Sequence, residues 1–91
     1  MTVQWTPEAI QDREQIYDFI ESDNPVAALQ LDSLVSSSVA NLSEYPEIGR
    51  KGRVLGTREL VVHANYIIVY DVRDDAIRIL RILHSAIKWP G

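Results

Sequence analysis

The sequence predicts an α+β fold in which an N-terminal helical hairpin packs on an antiparallel β-sheet. Two observations carry this. Residues 6–45 hold two stretches, each opened by a capping residue and a proline, with apolar residues at helical spacing. After Pro46 the period changes to short β-branched and aromatic runs separated by polar breaks of hairpin length. A helical hairpin laid over one face of a sheet buries both apolar surfaces.

Thr2–Trp5 is β-prone and places Val3 and Trp5 on one face of a short strand. Thr6-Pro7-Glu8 then opens the first helix, predicted over residues 7–22. Thr6 can cap, Pro7 suits the first helical position, and Glu8 and Asp12 favour the positive end of the helix dipole. Ile16, Phe19 and Ile20 are its apolar positions, with Ile10 and Tyr17 seven residues apart. Asn24-Pro25 repeats the start signal, and Ala28, Leu31, Val35, Val39 and Leu42 form an apolar stripe. The second helix is predicted over residues 25–45, because Pro46 forbids continuation. So short a link makes the helices an antiparallel hairpin.

Pro46, Gly49, Gly52 and the pair Arg50-Lys51 mark a loop over residues 46–52. Strands are then predicted at residues 53–55, 59–63, 66–72 and Ala76–His84. Ala64-Asn65 and Arg73-Asp74-Asp75 are the breaks that make an antiparallel meander. In the last run, Ile77, Ile79 and Leu83 share a face with Arg81, while Leu80 and Ile82 share the other with Arg78 and His84. Two mostly apolar faces indicate a central strand. A regular strand would put Arg81 and His84 on opposite faces.

The 91 residues suit one domain, spanning residues 1–91, and the 46% hydrophobic and 24% charged content is that of a globular chain. So small a core predicts modest stability unless a partner adds to it. There is no cysteine, which removes disulfides and thiolate metal sites. No apolar run approaches the roughly 20 residues that span a bilayer, and the first residues lack signal-peptide character. A cytoplasmic protein without membrane contact is the expectation. The net charge of −4 is unevenly placed. Residues 1–49 hold nine acids and one base, whereas residues 50–91 hold eight bases and four acids. The second half is either a scattering of solvated bases or a surface facing an anion or an acidic partner.

His63 and His84 are the only histidines, and no zinc motif, Walker loop, GxGxxG or nucleophile elbow occurs. No metal or other cofactor is expected. What remains is a set of basic and amphiprotic side chains in the second half: Arg58, His63, Arg81, His84 and Lys88, with Tyr66, Tyr70 and Trp89 nearby. Metal-free RNA cleavage needs a group to take the 2′-hydroxyl proton, an acid for the leaving oxygen and cations for the developing charge. His84 suits proton transfer, and Arg58, Arg81 and Lys88 suit charge stabilisation. The competing structural reading is a hydrogen-bonded histidine at a strand end and a strand arginine paired with an acid. Tyr66, Tyr70 and Trp89 read as core or rim residues.

An ordered set of segments resembles the RelE/ParE toxins. The first is Leu42-Ser43-Glu44-Tyr45-Pro46-Glu47-Ile48-Gly49-Arg50 at the end of the second helix. Next comes Gly52-Arg53-Val54-Leu55-Gly56-Thr57-Arg58-Glu59-Leu60-Val61. Asn65-Tyr66-Ile67-Ile68-Val69-Tyr70-Asp71-Val72 follows, and then Ile79-Leu80-Arg81-Ile82-Leu83-His84 with Trp89-Pro90. The resemblance covers nearly the whole chain. It implies a growth-inhibiting toxin, of the kind found in plasmid stabilisation, held inactive in a hetero-oligomer by a cognate antitoxin. Such an antitoxin wraps its toxin with a helix or an extended segment, which the apolar sheet and helix grooves could accept.

The superfamily divides by target, into RelE-like members that cut messenger RNA on the ribosome and ParE-like members that poison DNA gyrase. Of the RelE-like Tyr-Arg-Leu-hydrophobic-Tyr motif, Tyr66 matches the first tyrosine, but Ile67 stands where the arginine would. Of a basic pair one strand earlier, Arg58 matches one member and Leu60 holds the other position. A chain of charge −4 lacks the cationic surface that phosphate binding exploits. His84 resembles the terminal histidine of one RNase branch, whereas Gly-Thr-Arg-Glu-Leu and the Leu-His and Trp-Pro ending look ParE-like. The leading expectation is a binding toxin of gyrase with Arg58, Arg81, His84, Lys88 and Trp89 as contact residues. The alternatives are a metal-independent ribosome-dependent endoribonuclease using His84, Arg81 and Arg58, and a non-toxic binding module.

Overall fold

The computed structural model describes residues 1–90. Its elements are β1 (Thr2–Trp5), α1 (Pro7–Glu21), α2 (Pro25–Glu44), β2 (Arg50–Lys51), β3 (Arg58–His63), β4 (Tyr66–Arg73) and β5 (Ala76–His84). The five strands form one sheet in the order β1-β5-β4-β3-β2, so β5 is an interior strand as its two apolar faces predict. β2 to β5 pair antiparallel, and β1 lies parallel to β5. The sheet is thus antiparallel except at one edge, because the helical hairpin returns the chain to the far side of the sheet before β5 forms.

Both helix starts are built as their sequences imply. The Thr6 hydroxyl accepts from Ala9 N–H at 3.1 Å, and the Asn24 amide oxygen accepts from Ala27 N–H at 3.1 Å. Each satisfies an amide that has no partner in the first turn. The α2 stripe Ala28, Leu31, Val35, Val39 and Leu42 is buried in full. It meets Ile68, Tyr70, Ile77, Ile79 and Ile82 on one face of the sheet, with Val3 and Trp5 of β1 against the same core. α1 is different. Only Ala9 is buried, and Phe19, expected on the apolar face, is 76% exposed. Arg13 ties the helices together, donating to Asp32 Oδ1 and Ser36 Oγ at 2.7 Å each, and its guanidinium lies 5.3 Å from the centre of the Trp5 ring.

Two other expectations need correction. The short strand after the loop is Arg50–Lys51, paired with Glu59 and Arg58, whereas residues 53–55 turn. Nor is β5 regular. Tyr70 pairs with Ile79 but Val69 pairs with Arg81, so Leu80 is an extra residue. This bulge shifts the alternation. Ile82 therefore joins Ile77 and Ile79 under the helices, and Leu83 joins Leu80, Ile67 and Val69 on the opposite, outer face. The β4–β5 turn is as short as the sequence suggests. Asp74 and Asp75 both adopt positive φ, at 51° and 61°, which suits a two-residue hairpin.

Tyr70 fixes the entry to the sheet half. Its ring is wholly buried, its hydroxyl accepts from Gly49 N–H at 2.9 Å and donates to the Pro46 carbonyl at 2.8 Å. Burial pushes its phenol above the usual tyrosine range, against the Gly49 amide and Arg58, so it remains a donor at neutral pH. A Cβ on Gly49 would stand 2.6 Å from that hydroxyl. Gly49→Ala is therefore expected to destabilise the fold by about 1–3 kcal/mol, and Tyr70→Phe by about 1–2 kcal/mol. Urea unfolding followed by far-UV circular dichroism measures both.

Candidate functional site

β1 reaches only Ile79, so residues 80–84 of β5 have no strand beyond them. Thr6 closes the first part of this open edge by donating its hydroxyl to the Leu80 carbonyl at 2.9 Å. Asp12 closes the next. Its carboxylate accepts Ile82 N–H at 3.0 Å and takes the Arg81 guanidinium in a two-pronged pair, Nε at 2.7 Å and Nη2 at 3.0 Å. Hydrogen bonding to Asp12 raises Arg81 above the ordinary arginine value, against desolvation. This is the paired strand arginine of the structural reading.

Arg50, Arg53 and Arg78 are paired as well. Arg50, Glu59, Val69 and Arg81 fall in one cross-strand row. Glu59 is 2% exposed in that row and is the only buried charged residue among those described. It accepts from Arg53 N–H at 3.0 Å, Arg53 Nε at 3.2 Å and Arg50 Nη2 at 3.3 Å. Burial pushes the Glu59 carboxyl up, but the hydrogen bonds from Arg53 and Arg50 and the Arg53 charge outweigh it and hold the group below its ordinary value. Arg78 lies directly across from Asp71 and grips it at both oxygens, with Nε at 2.8 Å.

Beside Arg81 opens a cleft of about 620 Å³, lined among others by Phe19 of α1, Tyr66 of β4, Arg81 and His84 of β5, and Lys88 and Trp89. Arg81 and His84 come together here although they leave the sheet in different directions. His84 pairs with Tyr66, and the two rings meet edge to face at 5.3 Å. Its Nδ1 accepts from Ala86 N–H at 3.1 Å. Trp89 and Leu80 pack against the buried cluster of Ile67, Val69 and Leu83 on the outer face, and Lys88 is exposed. Arg58 is not in this group. It pairs with Tyr70, four residues along β4 from the Tyr66–His84 pair. Its Nη1 donates to the carbonyls of Gly49 at 2.8 Å and Glu47 at 3.3 Å, so it braces the loop after α2. His63 is exposed at the end of β3.

Sequence reasoning missed the three carboxylates that govern the bases. Asp71–Arg78 had a readable signal: a two-residue turn at 74–75 pairs 73 with 76 and hence 71 with 78. Nothing local links Asp12 to a residue 70 positions away. Among the described residues no three histidine or acidic side chains gather where a metal could be held, and no helix is long and apolar enough to cross a membrane.

A capped helical hairpin over a five-stranded sheet, with ion-paired arginines and a cleft at the end of the last strand, is the architecture of a small toxin domain of the RelE/ParE superfamily. Solved structures share it. A chain of the chromosomal ParDE system of P. aeruginosa superposes with a TM-score of 0.81 at 28% identity, covering 92% of this chain and 95% of that one. A chain of the E. coli RelBE toxin–antitoxin complex gives 0.67 at 11% identity, covering 94% and 98%, and shows the fold alone. Residues 3–89 match the family described as the ParE toxin of the type II toxin–antitoxin system parDE, and the chain belongs to that family. Toxin RelE2 of Caulobacter vibrioides is 39% identical over 84 residues, spanning 92% of this chain and 94% of its own length. The candidate toxin Y4kP of Sinorhizobium fredii is 38% identical over 89 residues, spanning 97% and 92%.

The Glu59 cluster has a pH signature. A carboxylate held below its unfolded value contributes stability that is present above the unfolded value and lost as pH falls through the folded one. Glu59→Gln should lower stability at neutral pH by about 1–3 kcal/mol and leave less to lose in acid. Urea midpoints for both proteins from neutral pH down to about pH 3 test this. Asp12→Ala should cost about 1–3 kcal/mol, and adding Arg81→Ala should cost less than the sum of the two alone.

Proposed function

We propose that this toxin arrests growth by binding its target without catalysing a reaction, that the target is DNA gyrase, and that a cognate antitoxin neutralises it in a hetero-oligomer in the cytoplasm. The observation that carries the reading is the state of the arginines. Arg50, Arg53, Arg78 and Arg81 are each held by a carboxylate of the same chain. An RNase site would need cations free to meet a phosphorane, at the reacting atoms. Around His84 only Lys88 fits that description. Its Nδ1 is engaged by Ala86, and Arg58 is remote. The ParE family membership and the likeness to a ParDE chain favour gyrase over the ribosome.

The contact surface in this reading is the cleft rim: Arg81, His84, Lys88 and Trp89, with the exposed Phe19 beside them. Aromatic and basic side chains at the edge of a concave surface are the types that anchor protein interfaces. The antitoxin fits the apolar grooves between hairpin and sheet, where Ile20, Leu31, Leu34 and Tyr66 line a second opening.

The test is tightly repressed induction of this chain alone in bacteria, with labelled thymidine and labelled amino acid incorporation followed side by side. An early fall in DNA synthesis with filamentation is expected, together with inhibition of purified gyrase supercoiling. An early stop of protein synthesis, with message cuts at translated codons, would instead make His84 a proton-transfer residue at the ribosome. Harmless expression would leave a non-toxic binding module. Folded Lys88→Ala and Trp89→Ala variants should lose toxicity by about tenfold or more. Full toxicity in both would overturn the contact assignment.

A further inference from the structure

Residues 50–58 carry the bases Arg50, Lys51, Arg53 and Arg58 and no acid. Between them the chain closes a small loop. Gly52 N–H donates to the Thr57 carbonyl at 2.8 Å, and the Thr57 amide and hydroxyl donate to the Val54 carbonyl at 3.1 and 2.6 Å. Gly56 takes the turn with φ at 85°. Buried Glu59 anchors the loop to the sheet, accepting Arg53 N–H at 3.0 Å and Arg53 Nε at 3.2 Å. The tip is Leu55, which is 101% exposed, as open as in an extended chain. A lone exposed leucine is ordinary on a protein surface. A leucine presented by a backbone that is already ordered is different, because docking it costs less conformational entropy.

We propose that the loop over residues 52–57 is a preformed knob for the protein this toxin arrests, and that Leu55 seats there in an apolar pocket rimmed by acidic side chains. The charge around the tip carries the choice of partner. Glu59 answers Arg50 and Arg53, and among the described residues no ion pair holds Lys51 or Arg58. The collar therefore keeps a positive excess that an acidic protein surface complements. Nucleic acid fits less well. A wedge between base steps also uses an apolar tip, but it needs cations free to meet the phosphates on either side. Two of the four here already meet a carboxylate. Position supports the same partner. Arg53 Nη1 reaches the Ile87 carbonyl at 3.4 Å, so the loop borders the C-terminal segment that carries Lys88 and Trp89 and extends the same contact surface. The inference rests on the reading that the chain acts by binding a protein, and not on that protein being gyrase.

The test is tightly repressed induction of the full chain, with the amount of toxin per cell at which growth halts measured by immunoblot. Leu55→Ser and Leu55→Gln should each raise that amount about tenfold or more, as expected when a docked leucine is lost. Their urea midpoints should match the wild type, because the side chain lies outside the core. Val26→Ser, at an apolar position on α2 that is 63% exposed, should remain fully toxic. Lys51→Glu should raise the amount about threefold or more. Full toxicity in both Leu55 variants, an equal loss in Val26→Ser, or a fallen urea midpoint in both Leu55 variants overturns the knob. Undiminished toxicity of Lys51→Glu overturns its acidic rim. Fluorescence anisotropy with a labelled DNA duplex supplies the other arm: binding by the wild type that Leu55→Ser abolishes would make the tip a nucleic-acid wedge instead. A wild type that is harmless, or that halts growth by cutting messages at translated codons, removes the binding reading and this inference with it. A wild type that halts DNA synthesis while both Leu55 variants stay fully toxic overturns the inference alone.

Discussion

β5 is nine residues long and β1 covers only its first four, so the most apolar strand of the protein would end on an open edge. Unpaired amides beside an apolar strand invite association with another chain. Asp12 closes that gap. One carboxylate on α1 satisfies Ile82 N–H, neutralises Arg81 and pins the hairpin to the sheet end where the cleft opens. The placement of Phe19, Gln15 and Ile16 along the cleft wall follows from this anchorage, because all three lie within two turns of Asp12 on the same helix. Had α1 docked elsewhere, the strand would have an exposed edge and the cleft would lack one side.

Charge pairing decides what the outer face can do. The second half of the chain is rich in bases, yet Arg50, Arg53, Arg78 and Arg81 are bound to Glu59, Asp71 and Asp12. A paired arginine still presents a polar, hydrogen-bonding rim, but it contributes far less field to an approaching phosphate than a free one. Four of the eight bases of the second half are therefore neutralised locally. The main core is built from the apolar stripe of α2 and the inner sheet face.

The second apolar cluster gives the C-terminal segment its place. Ile67, Val69 and Leu83 are buried on the face away from the helices, where no helix covers them. Leu80 and Trp89 pack against them instead. Two cores of unequal size, one under the hairpin and one beneath Leu80 and Trp89, imply unequal local stability, and the smaller one sits beside the proposed target surface.

The helices, their caps, the buried stripe of α2, the hairpin turns and the interior position of β5 were legible before folding, because each rests on periodicity or on residues adjacent in the chain. Thr6-Pro7, Asn24-Pro25 and Asp74-Asp75 state their geometry locally. The sequence also named Arg81, His84, Lys88 and Trp89, which meet at one cleft, while Arg58 proved to brace a loop. Long-range packing set the parallel pairing of β1, the exposure of Phe19, the extra residue at Leu80 and the carboxylates that Arg13, Arg50, Arg53, Arg78 and Arg81 meet. The alternation rule assumes a regular strand, and one bulged residue exchanges Ile82 and Leu83 between faces. The partnership of Asp12 with Arg81 spans 69 positions. It exists because α1 is carried across the open end of β5, and no local pattern records where a helix will lie.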